Sequence, residues 1–227
     1  MNSCPFIALT EEGKNALWRY ALSFVLIVAI VLAGSSVITL PITLGAVPES
    51  STVGFALELL GMGAMLLGAL LVTRLLHGRS PSTLFGVARR LNWMVILSSG
   101  AVWAVLMAIS VGINFVLSPQ QFTVNAKFVE FLPTLLVGLV LIPLQTSAEE
   151  VLFRGYLLQA IGRVVRPPVL LSVVNGVLFV VPHLGNPEAQ QETWLAAVQW
   201  FMGGFLPALL TLRHGTLDAA LGIHAAN

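Results

Sequence analysis

Two adjacent carboxylates and two separated imidazoles are the side chains of this sequence best suited to acid–base chemistry. The stretch AEEVLFRG contains Glu149 and Glu150, which follow an uncharged, mostly apolar run. His183 and His224 stand in two later apolar segments. Imidazole exchanges a proton near pH 7, and a carboxylate without a cationic partner in a low-dielectric site can serve as a general base. These residue types predict proton-transfer chemistry in an apolar setting.

Helical spacing divides the two glutamates between different roles. Glu150 and Arg154 stand four residues apart with the acid first, which is the order that favours an ion pair on one helix face. Glu149 points about 100° round the same helix and has no such partner. Phe179 precedes His183 by four residues, so its ring can pack beside the imidazole. The spacing therefore predicts a structural pair at Glu150–Arg154 and a reactive carboxylate at Glu149.

The composition is that of an integral membrane protein. Of the 227 residues, 57% are hydrophobic and only 9% are charged, and the mean hydropathy is +0.91. Soluble domains carry about a quarter charged residues. The net charge of +1 gives no indication of a nucleic-acid partner. Cys4 is the single cysteine of the sequence, which excludes an intrachain disulfide.

Turn residues divide the chain into apolar stretches close to the length of about 20 residues that a helix needs to cross a bilayer. They predict an all-α, polytopic transmembrane bundle, a single domain covering residues 1–227. We place about seven spans, at residues 18–40, 53–76, 93–117, 131–160, 169–184, 194–212 and 216 to the end. The last stretch is short for a span, so we expect the natural chain to continue beyond Asn227, with room for an eighth.

Basic residues are distributed very unevenly between the two sides of such a bundle. With these spans, ten of the eleven Lys and Arg residues fall on the side of the N-terminus, and Lys127 falls on the other side. Cytoplasmic loops carry the excess of positive charge in membrane proteins. The N-terminus is therefore expected in the cytoplasm.

Counting along the predicted helices places three ionisable residues at similar depth. From the cytoplasmic helix ends, Glu149, His183 and His224 lie about 21, 22 and 16 Å into their helices, at about 1.5 Å per residue. Ionisable groups inside a membrane cost a few kcal/mol each and usually face a cavity or a partner. The sequence therefore predicts that three helices bring these side chains to one site.

Three short motifs resemble the signatures of a known family. In chain order, EEVLFR, FVVPH and HAAN are similar to EExxxR, FxxxH and the terminal His with Asn of the CPBP family. That family contains type II CAAX prenyl endopeptidases and the bacterial Abi proteins, which are linked to bacteriocin maturation or self-immunity. The resemblance covers about residues 131–227. It implies an intramembrane peptidase whose cavity opens to the cytoplasmic leaflet.

The same resemblance implies partners and roles. The substrate would be a hydrophobic or prenylated, CAAX-type peptide or protein, in contact with membrane lipid, in a bacterial plasma membrane. Glu149 and His183 would activate the attacking water, and His224 with an Asn would stabilise the oxyanion. Glu150 and Arg154 would hold the motif in shape.

The third motif departs from the family pattern. The family Asn usually follows its His by four residues, whereas Asn227 follows His224 by three. Either Asn227 substitutes from one position round the helix, or the sequence stops short of the family residue. The oxyanion role of Asn227 depends on which of these holds.

Several alternatives stay open on sequence alone. The two Glu and two His could bind zinc, but HExxH is absent, and we expect a metal-free glutamate mechanism without a cofactor. The sequence has no GxSxG motif, so we do not expect catalysis through a covalent serine nucleophile. The fold could also serve a non-catalytic binding or immunity protein. A proton-coupled transporter using Glu58 and Glu149 is a further alternative, but no inverted repeat or pair of interrupted helices is evident. We expect Glu58 to be structural, and we assign no role to His77 or His214.

Overall fold

Helices account for the regular structure of the chain. A computed structural model describes residues 4–123 and 127–227, and within those two ranges it contains no strand. The described α-helices are α1 (Pro5–Ala8), α2 (Leu17–Ile38), α3 (Leu40–Thr43), α4 (Thr52–Leu75), α5 (Trp93–Leu117), α6 (Phe128–Glu150), α7 (Leu158–Gly162), α8 (Pro168–Val180), α9 (Pro187–His214) and α10 (Asp218–Ala225). The prediction of an all-α bundle is confirmed.

Six of the described helical segments are long and apolar enough to cross a membrane. They are Leu17–Ile38, Thr52–Leu75, Trp93–Leu117, Phe128–Gly162, Pro168–Gly185 and Thr193–His214. They correspond to the first six predicted spans, so the chain is an integral membrane protein. The seventh predicted stretch forms α10, a helix of 8 residues. Because a span needs about 20 residues, α10 is a short helix, and it packs against α5, α6 and α9.

The helix that carries both glutamates changes its winding just after them. A π-helical segment, Val151–Leu157, links α6 to α7, and the three together form one segment of 35 residues. The predicted long fourth helix is present, but the sequence spacing did not reveal its π-helical part. Such segments are frequent at functional sites. Here the carbonyl of Phe153 accepts a hydrogen bond of 2.8 Å from Nδ2 of Asn175 on α8, so a second helix fixes the π-helical segment.

Glycines allow close approach of the helices that carry the histidines. A Cβ added to Gly204 on α9 would lie 2.6 Å from the Cα of Gly176 on α8. A Cβ added to Gly222 on α10 would lie 2.1 Å from the carbonyl oxygen of Ile96 on α5. No side chain fits at either crossing, which is the usual reason for small residues between membrane helices. The backbone of α8 is thereby held close to that of α9, and the backbone of α10 is held close to that of α5.

A buried polar network lies at the opposite end of the π-helical segment from the glutamates. His77 is fully buried, with Nδ1 2.9 Å from the carbonyl oxygen of Lys14 and Nε2 2.9 Å from the hydroxyl of Tyr156. Since a carbonyl can only accept, Nδ1 carries the proton and Nε2 accepts from Tyr156. Arg79, also buried, donates to Oε1 of Gln159 at 2.7 Å. His77 therefore has a structural role, which no sequence pattern indicated.

The network makes stability depend on pH in a predictable direction. Burial lowers the pKa of His77 from its usual 6.5, and the guanidinium of Arg79 acts in the same direction. The unfolded chain then binds a proton more readily than the folded chain, so stability is fully present above about pH 6.5 and falls below it. We expect His77→Asn to reduce the loss of melting temperature between about pH 7.5 and pH 5.5. Thermal melts in detergent at several pH values would measure this change of melting temperature with pH, the acid slope.

A matched control for this prediction is His214→Asn. His214 is exposed at the end of α9, so its replacement should leave the acid slope unchanged. An identical slope in wild type and His77→Asn would show that another group controls the acid loss.

Candidate active site

The predicted acid–base residues come from three helices. Glu149 and Glu150 end α6 and are only 5% and 0% exposed. Because Pro182 has no N–H to donate, α8 ends at Val180 and passes into a 3₁₀ turn, Val181–Gly185, that contains His183. The third helix, α10, contributes His224.

Glu150 is the centre of a buried ionic cluster. Its Oε1 lies 2.9 Å from Nη1 of Arg154 and 2.7 Å from Nδ1 of His224. The side chains of Glu150 and Arg154 are 0% exposed. Arg154 also donates through Nη2 to the carbonyl of Gly203 on α9, and its guanidinium lies 4.3 Å from the centre of the Phe179 ring. One carboxylate thereby connects α6, the π-helical segment and α10.

Glu149 has one committed and one uncommitted oxygen. Its Oε1 accepts a hydrogen bond from Nε2 of Gln145, one turn earlier on α6. Its Oε2 is buried, accepts no hydrogen bond from the described residues, and lies 3.7 Å from Nε2 of His224. That separation exceeds a direct hydrogen bond. The arrangement leaves a carboxylate oxygen able to accept a proton from a bound group.

Phe179 lies between the two imidazoles. Its ring centre is 4.6 Å from that of His183 and 5.9 Å from that of His224. His183 also packs on Trp200 at 5.4 Å, and its Nδ1 donates to the carbonyl of Phe179 at 2.6 Å. With Nδ1 donating, Nε2 of a neutral His183 is an acceptor. Both rings are therefore held in fixed orientations by packing and by one hydrogen bond each.

The side chains of two further residues weighed in the sequence contact other parts of the fold. Asn227 is exposed, and its Oδ1 accepts a hydrogen bond of 3.1 Å from Nε1 of Trp103 on α5. Glu58 is exposed on α4 and lines a separate, open pocket with Glu49 and Ser50. The structure thus brings Glu149, Glu150 and His224 into contact and holds Asn227 against another helix.

Several residues of the site were not identified from the sequence. Gln145 stands four residues before Glu149, so helical spacing could have revealed it. Gly203 and Trp200 belong to α9, and their contacts with Arg154 and His183 depend on how distant helices pack. No local sequence signal carries that information.

The zinc alternative requires several ligand side chains within reach of one ion. Among residues 4–123 and 127–227, no three His, Cys, Asp or Glu side chains are placed to hold one metal ion. A catalytic zinc site needs about three protein ligands.

Comparison with known proteins gives two matches. Residues 128–227 match the family described as type II CAAX prenyl endopeptidase Rce1-like. The uncharacterized protein YyaK of Bacillus subtilis (strain 168) is 31% identical over 233 residues, covering 95% of this chain and 77% of that protein. No solved structure matches the chain. The family match covers α6 to α10. This part of the chain carries Glu149, Glu150, His183 and His224, which we call the glutamate–histidine cluster.

Proposed function

Because this chain belongs to the family of Rce1-like type II CAAX prenyl endopeptidases, we propose that it is an intramembrane endopeptidase that cleaves a membrane-associated protein or peptide. One observation carries the proposal. Glu149 presents a buried, uncommitted carboxylate oxygen 3.7 Å from the imidazole of His224. A buried group of this kind, in a chain of a protease family, is suited to general base catalysis.

The first step is the activation of water. Oε2 of Glu149 takes a proton from a water molecule. At the same time, the oxygen of that water attacks the scissile carbonyl carbon. His183 Nε2 accepts the second hydrogen bond of that water and orients it. The proton held by Glu149 then passes to the nitrogen of the leaving amine as the C–N bond breaks. The protein supplies base and acid from one carboxylate, and no metal ion takes part.

The second requirement is stabilisation of the oxyanion. Nδ1 of His224 donates a hydrogen bond to Oε1 of Glu150, so its Nε2 can donate to an oxyanion only in the doubly protonated form. Glu150 and Arg154 fix the ring, which keeps this donor in place without reorganisation. Trp103 holds Oδ1 of Asn227, and the amide Nδ2 of Asn227 is the proposed second donor.

The proposed substrate is hydrophobic, in the first instance a prenylated CAAX-type peptide, reached from the cytoplasmic leaflet of a bacterial plasma membrane. Support for this orientation comes from the basic residues. Arg154 is buried in the cluster and no longer counts as a loop charge. Nine basic residues then remain on the side of the N-terminus, against Lys127 on the other.

A test of the function compares two histidine variants in proteoliposomes. We expect His183→Asn to lower the cleavage rate of a prenylated peptide about 100-fold, because the attacking water loses the imidazole that orients it and misplacement of a reacting group costs about that much. His214→Asn, at an exposed site on the next helix, should cleave at the wild-type rate. Peptide fragments would be quantified by mass spectrometry.

Two outcomes of this assay would contradict the proposal. Equal rates in wild type and His183→Asn would favour a non-catalytic binding protein of the same fold. Loss of wild-type activity after prolonged chelation, with recovery on adding zinc, would overturn the metal-free mechanism.

A further inference from the structure

A second cavity, of about 900 Å³, lies where the N-terminal segment covers the connection between α7 and α8. Its lining combines apolar side chains with two guanidinium groups: Ile7, Leu171, Leu212, Arg163 and Arg166. None of these residues belongs to the glutamate–histidine cluster. The proposed peptidase chemistry gives this cavity no role.

The walls of the cavity are held by specific contacts. Ile7 on α1 packs onto Gly162 at the end of α7, so closely that a Cβ on Gly162 would lie 2.5 Å from Cδ1 of Ile7. Nη1 of Arg163 donates to Oγ1 of Thr10 at 3.3 Å. The N-terminal segment is thus fastened across the end of α7.

The cavity lies at the level where the bilayer surface must be. Three candidate spans have an end in its lining: Phe128–Gly162 ends there, Pro168–Gly185 begins there, and Thr193–His214 ends just beyond Leu212. Since the ends of apolar spans mark the boundary between hydrocarbon and headgroups, the cavity is at headgroup height, with its apolar wall continuing into the hydrocarbon.

The charge of the cavity favours an anion. Neither Arg163 nor Arg166 forms an ion pair with a carboxylate in the described part of the chain. Glu11 also lines the cavity, but it is exposed, so it opposes the two cations with a single solvated charge. A guanidinium binds phosphate through two parallel hydrogen bonds. A phosphate group is chemically complementary to the two guanidinium groups of the lining, and an acyl chain is complementary to its apolar side chains.

We propose that this cavity binds an anionic phospholipid of the adjacent leaflet, with the phosphate on Arg163 and Arg166 and an acyl chain along Leu171 and Leu212. The bound lipid joins the N-terminal segment to the ends of α7, α8 and α9. It therefore stabilises the end of the helix that carries both glutamates. This site is separate from the proposed catalytic cluster and does not depend on its activity.

The test uses purified protein in a neutral detergent, titrated with phosphatidylglycerol or phosphatidylcholine. We expect phosphatidylglycerol to raise the melting temperature and phosphatidylcholine to leave it nearly unchanged, because a ligand that binds the folded state stabilises it by mass action. Arg163→Gln and Arg166→Gln should each weaken the apparent affinity for phosphatidylglycerol about fivefold. Arg90→Gln, an exposed arginine outside the cavity, is the matched control.

Three results would overturn the proposal. A double Arg163→Gln, Arg166→Gln variant that responds like wild type would place the lipid effect elsewhere on the surface. An equal shift with glycerol phosphate would identify a soluble anion as the ligand. Arg163→Gln could fail to fold because it loses the hydrogen bond to Thr10. In that case Arg166→Glu is the test variant, since Arg166 is exposed and its replacement breaks no hydrogen bond within the described residues. An undiminished response in Arg166→Glu would then reject the site.

Discussion

Glu149→Gln is expected to abolish peptide hydrolysis, with a fall in rate of about 1000-fold or more. The amide has the shape of the carboxylate and can keep the contact with Gln145, but it cannot take a proton from water. Removing a negative charge from a site that is 5% exposed also removes a desolvation penalty. The variant should therefore be at least as stable as wild type. Cleavage in proteoliposomes and a thermal melt of the same sample measure the two quantities together.

The matched control for this prediction is Glu58→Gln, which changes a membrane-helix glutamate that is exposed on α4. It should cleave at the wild-type rate. Full activity in Glu149→Gln would exclude Glu149 as the base. If Glu58→Gln were inactive and Glu149→Gln active, the acidic pocket on α4 would need to be reconsidered as the functional site.

The membrane fold was largely predictable from composition. Long apolar stretches such as Leu17–Ile38 have few alternatives in a chain with 9% charged residues, because only helices satisfy their own backbone in lipid. Composition was a weaker guide at the end of the chain, where the apolar stretch is too short to span a bilayer. The stretch after Gly215 forms only Asp218–Ala225, whose role depends on packing against α5, α6 and α9 and not on hydropathy.

The candidate site was predictable where local spacing decides it. The pair Glu150–Arg154 follows from a separation of four residues, and the contact of Phe179 with His183 follows in the same way. The contact of His224 with Glu150 joins residues 74 positions apart. It depends on the crossing of α10 with α6, which no local pattern encodes.

The π-helical segment and the His77 network mark the limit of sequence reasoning more sharply. Val151–Leu157 contains no proline that would mark a change of winding, and its π-helical form goes together with tertiary contacts such as the hydrogen bond from Asn175 to the Phe153 carbonyl. His77 lies next to arginines in the sequence, which is typical of a solvated boundary, yet it is fully buried. Coverage by the N-terminal segment explains that burial, and it is a long-range effect.

Arg154→Met is expected to destabilise the protein by about 3–5 kcal/mol, because among the described residues it leaves the buried carboxylate of Glu150 with His224 as its single ionic partner. The same change removes the hydrogen bond to the Gly203 carbonyl and the guanidinium from the Phe179 ring. Arg90→Met, at an exposed position on the chain, should change the free energy of unfolding very little. Unfolding in SDS, followed by circular dichroism, measures the difference.

A double variant separates the ionic contribution from the loss of packing. Glu150→Gln combined with Arg154→Met removes both charges, so the uncompensated carboxylate no longer exists, and the double variant should be more stable than Arg154→Met alone. If the two changes were simply additive, Arg154 would act through its contacts with Gly203 and Phe179, and Glu150 would owe its position to His224. A large favourable coupling would instead mean that the guanidinium neutralises Glu150. In that case the orientation of His224, and with it the distance of 3.7 Å to Glu149, depends on a charge pair within one helix.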